Sequence, residues 1–560
     1  MQSMEDHLAG TGTIDRSSLA ETPSSSINLR RHYLLALAVA AAVYFASVAP
    51  GVLWQDSGMA QVRVLRGDYV GNLGLALAHP LFYMVAHVFQ FLPFHDSALK
   101  TNLVSATASA FAVANLYLLL LLMFADLPHR RLSAAIGALT LGLAHTFWQH
   151  AALAETYNLS AMILSTELLL LYRFSQTFEC KWYLGAWFLN GVECSNHMLA
   201  TLTLAAIGIW SVVLIWRGRL RWYWLAAGIG LWIVGNLPYE FLILKTYLAG
   251  MPLAQVIHSA LFGNYQQEVL NTTITPRLIV MAIGVVGLNF PTPNILLIPL
   301  GMLRGFRIAA KPFVLLLGLA TFFHLLFALR YNIVDQYTFF ILPILFLSIW
   351  LAMGAGWLLA AVRTAAVPRL LLVFALLPPV VYAPLPAAVE RLQLPVPGLG
   401  SRIPYRDEAR YFLWPWKTGY DNPARLALDV FEMAEPNAVV VPDSTSRHPF
   451  VYYQRFEGLR PDIEVTTDPC LQEPGPQRAG RMAQLLKDRP VYVVRPQPSY
   501  CPGYILDHFD LIPAEPIHRV LPSTQPPPAT NPATGQKDLT LSDLSPMMTR
   551  LHALRTGTNE

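Results

Sequence analysis

Apolar runs about twenty residues long dominate the chain from residue 32 to 388, with short polar segments between them. A bilayer core takes roughly 20 apolar residues per helix. On that criterion the spacing predicts transmembrane helices over 32–50, 102–125, 132–152, 156–174, 182–196, 197–216, 222–244, 278–303, 312–330, 336–362 and 369–388. One polar stretch between the first two spans is longer than a turn requires, running from Trp54 to Tyr83 as WQDSGMAQVRVLRGDYVGNLGLALAHPLFY. Long loops in compact proteins are usually functional or disordered. This one interleaves apolar with polar residues and is poor in Ser and Pro, which predicts an ordered outer loop, 51–101, forming one wall of a site. The motif Asn289-Phe290-Pro291-Thr292-Pro293-Asn294 lies inside the eighth span and predicts a kink there.

Past residue 389 the pattern changes. NAVVVPDS (437–444), DIEVTTD (462–468) and PVYVVRP (490–496) read as short β-branched strands bounded by Pro and Asp. Helical patches at 422–434 and 479–488 alternate with them, so 389–519 is expected to be a small α/β domain of three or four strands. Residues 1–29 read as a disordered cytoplasmic tail, and 520–560 as a Pro-rich linker and C-terminal tail with one short helix over 538–555.

Composition narrows the class. The chain is 54% hydrophobic and 13% charged, against about 25% charged in soluble domains. The net charge of +4 is spread over loops and gives no case for nucleic acid. The basic clusters are Arg30–Arg31, Arg130–Arg131, Arg173 with Lys181, Arg217–Arg219–Arg221, Arg304–Arg307–Lys311, and Arg363 with Arg369. Basic residues concentrate in short cytoplasmic loops, and with the N-terminus inside, about eleven spans place every cluster there. The opposite face then carries 51–101, the tips near 153–156 and 194–198, the loops 245–277 and 331–336, and everything from 389. The first apolar run follows about 30 polar residues and has no small-residue cleavage pattern, so a cleaved signal peptide is not expected. No cysteine spacing resembles a zinc site. Cys470 and Cys501 fall in an oxidising compartment on this topology, and a disulfide between them is expected.

The same topology gathers Asp56, His79, Glu155, His197, Arg330 and Asp335 on one side of the membrane, where ionisable residues are costly and usually functional. Each has a plain alternative. Asp56 in WQDSG could end the first helix in an Asp-Ser-Gly turn, or act as a general base tuned by partial burial. His79, held extended before Pro80, could cap the next helix. Glu155 could complement a helix dipole. His197 sits at the tip of a hairpin too short to cross comfortably. Arg330, Tyr331 and Asp335 lie on a short outer loop, where the arginine either reaches lipid headgroups or contacts a phosphate. Glu167, in the middle of the fourth span, reads as a hydrogen-bonded carboxyl inside the bundle.

WQDSG, AHPLFYM, NLVSA, HTFWQHAALAETYNL, the Asn-His of CSNHM, and RYNIVDQYTFFILP, in that order over about 32–360, resemble a family of multi-spanning proteins. It was first catalogued as a domain of unknown function and includes protein O-mannosyltransferase-like (transmembrane protein 260-like) glycosyltransferases. The tail, with VVVPDS, Tyr452-Tyr453 and EGLRPDIEV, resembles the soluble part of many bacterial members. The resemblance implies a GT-C-like architecture, a polyprenyl-phosphate-linked sugar donor, and a protein hydroxyl or glycan acceptor outside the cytoplasm. It also implies a catalytic acid in the first outer loop, and Asp56 matches that position. His79 and Glu155 would complete the catalytic group, with His197, Arg330, Tyr331 and Asp335 binding donor or acceptor. No metal is required, although Asp56 and Glu155 could share a divalent ion. The site would face the periplasm in a bacterial inner membrane or the lumen of the endoplasmic reticulum. Two departures stand in the first loop: Met59 where the family places an acid, and AHPLFYM in place of an HPPGYPL-like run. A lipid-linked glycan transporter or a membrane-anchored binding protein are the competing classes. The transporter predicts polar residues through the whole bilayer depth, the binding protein a tail that works without Asp56.

Overall fold

The computed structural model describes residues 28–362, 364–393 and 403–523. The N-terminal tail, Arg363 and most of the Pro-rich C-terminal segment with its expected helix lie outside them. Each expected span is helical. The chain opens with α1 (Leu29–Ser47), then builds its first outer loop from α2 (Gln55–Arg66) and α3 (Pro80–Phe89) before the long α4 (Ser97–Met123). It continues through α5 (Arg130–Gly142), α6 (His145–Ala151), α7 (Tyr157–Thr177), α8 (Cys180–Cys194) and α9 (Ala200–Trp216). Next come α10 (Trp222–Gly235), α11 (Leu237–Leu248), the outer helices α12 (Leu253–Phe262) and α13 (Gln266–Val269), and α14 (Pro276–Asn289). The bundle closes with α15 (Leu297–Arg304), α16 (Lys311–Arg330), α17 (Ile341–Ala361), α18 (Ala366–Leu376), α19 (Pro378–Tyr382) and α20 (Leu385–Leu392).

Among the described residues, 4 helices are long and apolar enough to cross a membrane alone: α1, α4, α16 and the run Gln336–Ala361. Counting each bent pair as one span brings the number to 7. These pairs are α10 with α11 (65°), Pro276–Asn289 with Pro293–Arg307 (116°), and α18 with Pro378–Leu392 (45°). The count from sequence was therefore higher than length and composition of single helices support. The expected span 132–152 is broken between α5 and α6, α7 carries Glu167 and Arg173, and α8 and α9 have 15 and 17 residues. The Pro291–Pro293 motif produces a reversal of direction rather than a kink. Asn289 secures it, accepting from the Thr146 amide at 2.8 Å and donating to Thr146 Oγ1 at 2.9 Å. Glu167 is buried and accepts from Asn190 Nδ2 at 3.3 Å, as a carboxyl inside the bundle should.

α17 runs through the centre of the bundle, with most of its residues buried. It meets α15 backbone to backbone: a Cβ on Gly301 would lie 1.8 Å from the Trp350 carbonyl oxygen, and one on Gly354 2.1 Å from that of Leu297. Small residues permit such close crossings where lipid supplies no hydrophobic drive for association.

The tail begins with α21 (Glu408–Leu413) and α22 (Asn422–Met433). β1 (Val439–Val441), α23 (Arg447–Phe456), β2 (Glu464–Val465), α24 (Gly475–Asp488), β3 (Val491–Val493), α25 (Gly503–His508), β4 (Phe509–Ala514) and β5 (Ile517–Pro522) follow. The sheet is 5-stranded, in the order β2-β1-β3-β5-β4. Its β2-β1-β3 part is parallel, and β5 and β4 add antiparallel. The hairpin β4–β5 exceeds the three or four strands expected and carries the sheet into the segment read as linker; Pro513 is tolerated because β4 is an edge strand. Cys470 and Cys501 are both free thiols, which corrects the expected disulfide. They are buried in the apolar cluster of Val439, Val491 and Ile505, which the thiols fill as small hydrophobes.

The tail docks on the bundle. Lys417 N donates to the Ser47 carbonyl at 2.8 Å, Thr418 Oγ1 to that of Ala46 at 2.7 Å, Gln55 N to that of Thr445 at 3.0 Å, and Trp54 Nε1 to the Tyr420 hydroxyl at 2.8 Å.

Gly301→Val or Gly354→Val is expected to destabilise the bundle by roughly 1–3 kcal/mol or more, read as a lower melting temperature in detergent. Gly208→Val, at a position where a Cβ meets nothing within 4 Å, should leave it unchanged. Accessibility tags at 217–221 and 304–311 should report the cytoplasm, and a tag in the exposed turn at Gly458 the opposite side.

Candidate active site

A buried amide pair sets the start of the first outer loop. Gln61 Oε1 accepts from the Leu53 amide at 3.0 Å, while its Nε2 donates to Asn102 Oδ1 at 2.8 Å and to the Gly51 carbonyl at 3.2 Å. Asn102 Nδ2 returns to the carbonyls of Ala49 and Gly51 at 2.9 and 3.0 Å. The chain leaving α1 is thereby tied to α4, and Gln55 turns through a positive φ of 49° into α2. WQDSG thus starts a helix rather than ending one: Trp54 is the N-cap residue and Asp56 lies in the first turn.

Asp56, Glu155 and Asp335 converge from α2, the α6–α7 connection and the loop after α16. Ser57 Oγ donates to Glu155 Oε1 at 2.8 Å, and Ser105 Oγ clasps the Glu155 backbone, donating to its carbonyl and accepting from its amide, each at 2.9 Å. The side chain of Asp56 is exposed, yet the protein around it raises its pKa by desolvation. Solvent therefore reaches it through a recess. Burial, then the charge of Asp56, pushes Glu155 up to about 8; the Ser57 hydrogen bond opposes this and Asp335 adds to it. Burial and then Asp56 push Asp335 up to about 6. Carboxyls that share a site cannot all ionise easily. Glu155 therefore keeps its proton at neutral pH, while Asp56 lies in the first turn of α2 and open to solvent, where the helix dipole favours a carboxylate. Among the described residues no group of three or more His, Cys, Asp or Glu is arranged to hold a metal ion.

His79 is not extended before Pro80; it takes φ 50° and ψ 48°. Its Nδ1 lies 2.6 Å from the Asn196 carbonyl, which can only accept, so the proton is on Nδ1. Arg63 fixes the preceding residue by donating from Nη2 to the Ala78 carbonyl at 3.0 Å, and its guanidinium stacks 3.9 Å over the ring of Tyr83. Burial lowers the His79 pKa to about 4, leaving a neutral imidazole at pH 7. His79 stacks on His197 at 4.9 Å. An aromatic rail continues from His197 to Tyr157 (5.0 Å), Phe339 (5.6 Å), Tyr331 (4.5 Å) and Phe327 (5.0 Å). His197 Nδ1 accepts from the Leu199 amide at 3.2 Å, so its proton is on Nε2. Arg330 flanks the rail, but its Nη1 donates to the carbonyls of Val269 and Asn271 at 2.6 and 2.7 Å, bracing the loop after α13. The connection between α12 and α13 joins the first outer loop: Asn264 N donates to the Leu73 carbonyl at 3.1 Å, and a Cβ on Gly74 would lie 2.6 Å from Gly263 Cα.

The structure adds residues that sequence reasoning passed over. Tyr337 lies close enough to Glu155, Asp335 and Arg406 to feel the charge of each. Tyr411, from the tail, feels Arg406, Glu155 and Asp56, and its carbonyl accepts from Gln149 Nε2 at 3.3 Å. Arg406 and Lys417 are buried beside it. The signal was RIPYRDEARYFLWPWK, in which charges alternate with aromatics more densely than a solvated surface needs.

The raised Glu155 pKa has a stability consequence. Between about 4.5 and about 8 the unfolded chain has lost this proton while the folded chain keeps it, so this group's contribution to stability falls as pH rises through that window. Glu155→Gln, which cannot ionise, should gain in melting temperature over the parent at pH 8 and match it at pH 4.5.

Residues 75–219, from the first outer loop to the turn after α9, match the family model described as the protein O-mannosyl-transferase TMEM260 N-terminal domain. No curated protein matches the chain. Among solved structures, ArnT from Cupriavidus metallidurans bound to undecaprenyl phosphate aligns with TM-score 0.54 and 16% identity, covering 87% of this chain and 97% of that one. The arabinofuranosyltransferase AftD from Mycobacteria aligns with TM-score 0.46 and 14% identity, covering 86% of this chain and 37% of that one. The chain is thus a membrane protein with the fold of the GT-C glycosyltransferases, and over 75–219 it is similar to the TMEM260 protein O-mannosyl-transferase family.

Proposed function

We propose that this protein is an inverting membrane glycosyltransferase that moves a sugar from a polyprenyl-phosphate donor to an extracytoplasmic hydroxyl, with Asp56 as general base. The observation that carries the reading is the convergence of three carboxyl groups of unlike environment, of which Asp56 alone is both exposed and set in a recess. Groups whose surroundings separate their proton affinities are how a site assigns acid and base roles. As the acceptor oxygen attacks the sugar C1, its proton passes to Asp56. The bond from C1 to the phosphate oxygen breaks with its electron pair, and polyprenyl phosphate leaves. Glu155, protonated and held by Ser57, donates a hydrogen bond to substrate rather than competing for the proton. Neutral His79 and His197, with the rail of Tyr157 and Tyr331, orient donor and acceptor, since sugar rings pack their apolar faces on aromatic surfaces. Asp335 adds a second acceptor at the rim.

The likeness to an ArnT bound to undecaprenyl phosphate supports the donor class, and the family description supports a mannosyl group and a protein hydroxyl as acceptor. The one-sided distribution of basic residues supports a site in the periplasm or the lumen of the endoplasmic reticulum. A lipid-linked glycan transporter is favoured by one feature, the buried Glu167 and Glu193 inside the bundle, since neither carboxylate oxygen of Glu193 has a hydrogen-bond partner among the described residues.

Asp56→Asn separates the readings. As a transferase the protein should lose roughly 10²–10⁴ of its activity, the usual worth of general acid–base catalysis. Its melting temperature should barely move, because an exposed carboxylate contributes little to folding. Lipid-linked-sugar transfer with purified protein checks this. Near-normal transfer would move the base to Glu155. Transport of a lipid-linked sugar across vesicles by the same variant, with no transfer by the parent, would favour the transporter.

A further inference from the structure

Arg406 and Lys417 lie in the segment that leads from the bundle into the tail, and both are covered, at 8% and 2% exposure. Both face the ring of Tyr411: the Arg406 guanidinium carbon is 4.8 Å and Lys417 Nζ 5.3 Å from its centroid. Their charges are unevenly met. Arg406 donates Nε and Nη2 to Glu408 Oε2 at 2.9 and 2.7 Å, which fixes the guanidinium plane, but its buried Nη1 has no hydrogen-bond partner among the described residues. Lys417 Nζ donates to the Trp414 carbonyl and has no carboxylate partner among the described residues. A buried donor left unpaired is costly, and two buried cations facing one ring with a single carboxylate on them form a site that lacks an anion. Burial alone pulls Lys417 down to about 7, the response of an ammonium without a counter-charge. Tyr411 is also within the fields of Asp56 and Glu155, which sets the two cations beside the carboxyl groups.

We propose that Arg406 and Lys417, gathered on Tyr411, form the phosphate subsite of this enzyme, so that the tail segment rather than the bundle holds the anionic group of the lipid-linked donor. The proposal rests on the transferase reading for the identity of the donor. It assigns Arg406 Nη1 and Lys417 Nζ as donors to phosphate oxygens, where they neutralise the charge that grows as the C1–oxygen bond breaks. Glu408 keeps Arg406 aimed, and Arg330 remains the brace of the outer loop. Carboxyls carried by the bundle then serve the acceptor proton, and cations carried by the tail segment serve the leaving group.

Binding of undecaprenyl phosphate, undecaprenol and inorganic phosphate to the full chain in detergent tests the subsite. The parent should bind the lipid phosphate more tightly than the alcohol. Arg406→Gln and Lys417→Met should each weaken the lipid phosphate by roughly 10–100-fold, the worth of a charged hydrogen bond, and leave the alcohol unchanged. Arg406→Lys should recover part of the loss. If Arg406→Gln fails to fold, Lys417→Met and Arg406→Lys carry the same comparison. Parental affinity for the lipid phosphate in folded variants, or a parent that binds phosphate and alcohol alike, would overturn the proposal. So would binding of inorganic phosphate as tight as that of the lipid, since the subsite would then not belong to a lipid donor. Loss of binding in these variants together with unimpaired transfer by Asp56→Asn would leave the subsite standing and remove the base.

Discussion

The reciprocal amides of Gln61 and Asn102 are the constraint from which the active end of the molecule follows. Inside a bundle that faces lipid, a backbone amide with no partner costs several kcal/mol by the usual transfer scales, on the order of 2–7, and the chain between α1 and α2 has left helical geometry over 48–54. Two side-chain amides, one on α2 and one on α4, supply the bonds that a helix would otherwise provide. Because both are fully buried, no water can substitute for them. With the turn fixed, Trp54 is driven into the tail core and Asp56 stands at the mouth of α2. Ser57, the next residue, then reaches Glu155.

The bundle was legible in the sequence because lipid leaves so few options: apolar runs must be helices, and all of the expected runs are. What sequence could not give was how those helices meet. The reversal at Pro291–Pro293 and the backbone contact of Gly301 with Trp350 depend on which helix lies opposite. The site was partly legible for the same reason. Counting spans grouped Asp56, His79, Glu155, His197, Arg330 and Asp335, and the structure sets Asp56, Glu155 and Asp335 within one another's fields and stacks His79 on His197. Their local conformations were misread where tertiary contacts override local preference. His79 adopts a left-handed backbone before proline because Asn196 and the Arg63–Ala78 bond hold it there. Arg330 read as a candidate for phosphate because it lies on a short outer loop, while the two carbonyls it serves come from a loop about sixty residues away. Arg406 and Lys417 were passed over because the surrounding composition looks soluble, where a charge is ordinarily solvated. Only the docking of tail on bundle buries them.

The tail sheet shows the opposite balance. VVV and VYV are apolar on both faces, as parallel strands flanked by helices must be, and so β1 and β3 stood out. β4 and β5 did not, because an antiparallel edge pair can carry polar residues and proline without penalty. The cysteine pair was misjudged by compartment logic. Both thiols contribute to the packing of Val439, Val491 and Ile505, where they act as small hydrophobes.

The helix α2 belongs to both halves of the molecule. Its Gly58 admits no side chain, because a Cβ there would lie 2.2 Å from the Leu53 carbonyl and 2.9 Å from His448 Cβ of α23. The amide of Gln55 is satisfied by Thr445 of the tail, not by the bundle. A boundary drawn where composition changes therefore does not divide two independent modules. Tail and first outer loop pack as one unit across a gap of several hundred residues, so a tail exchanged for another must travel with its own α2.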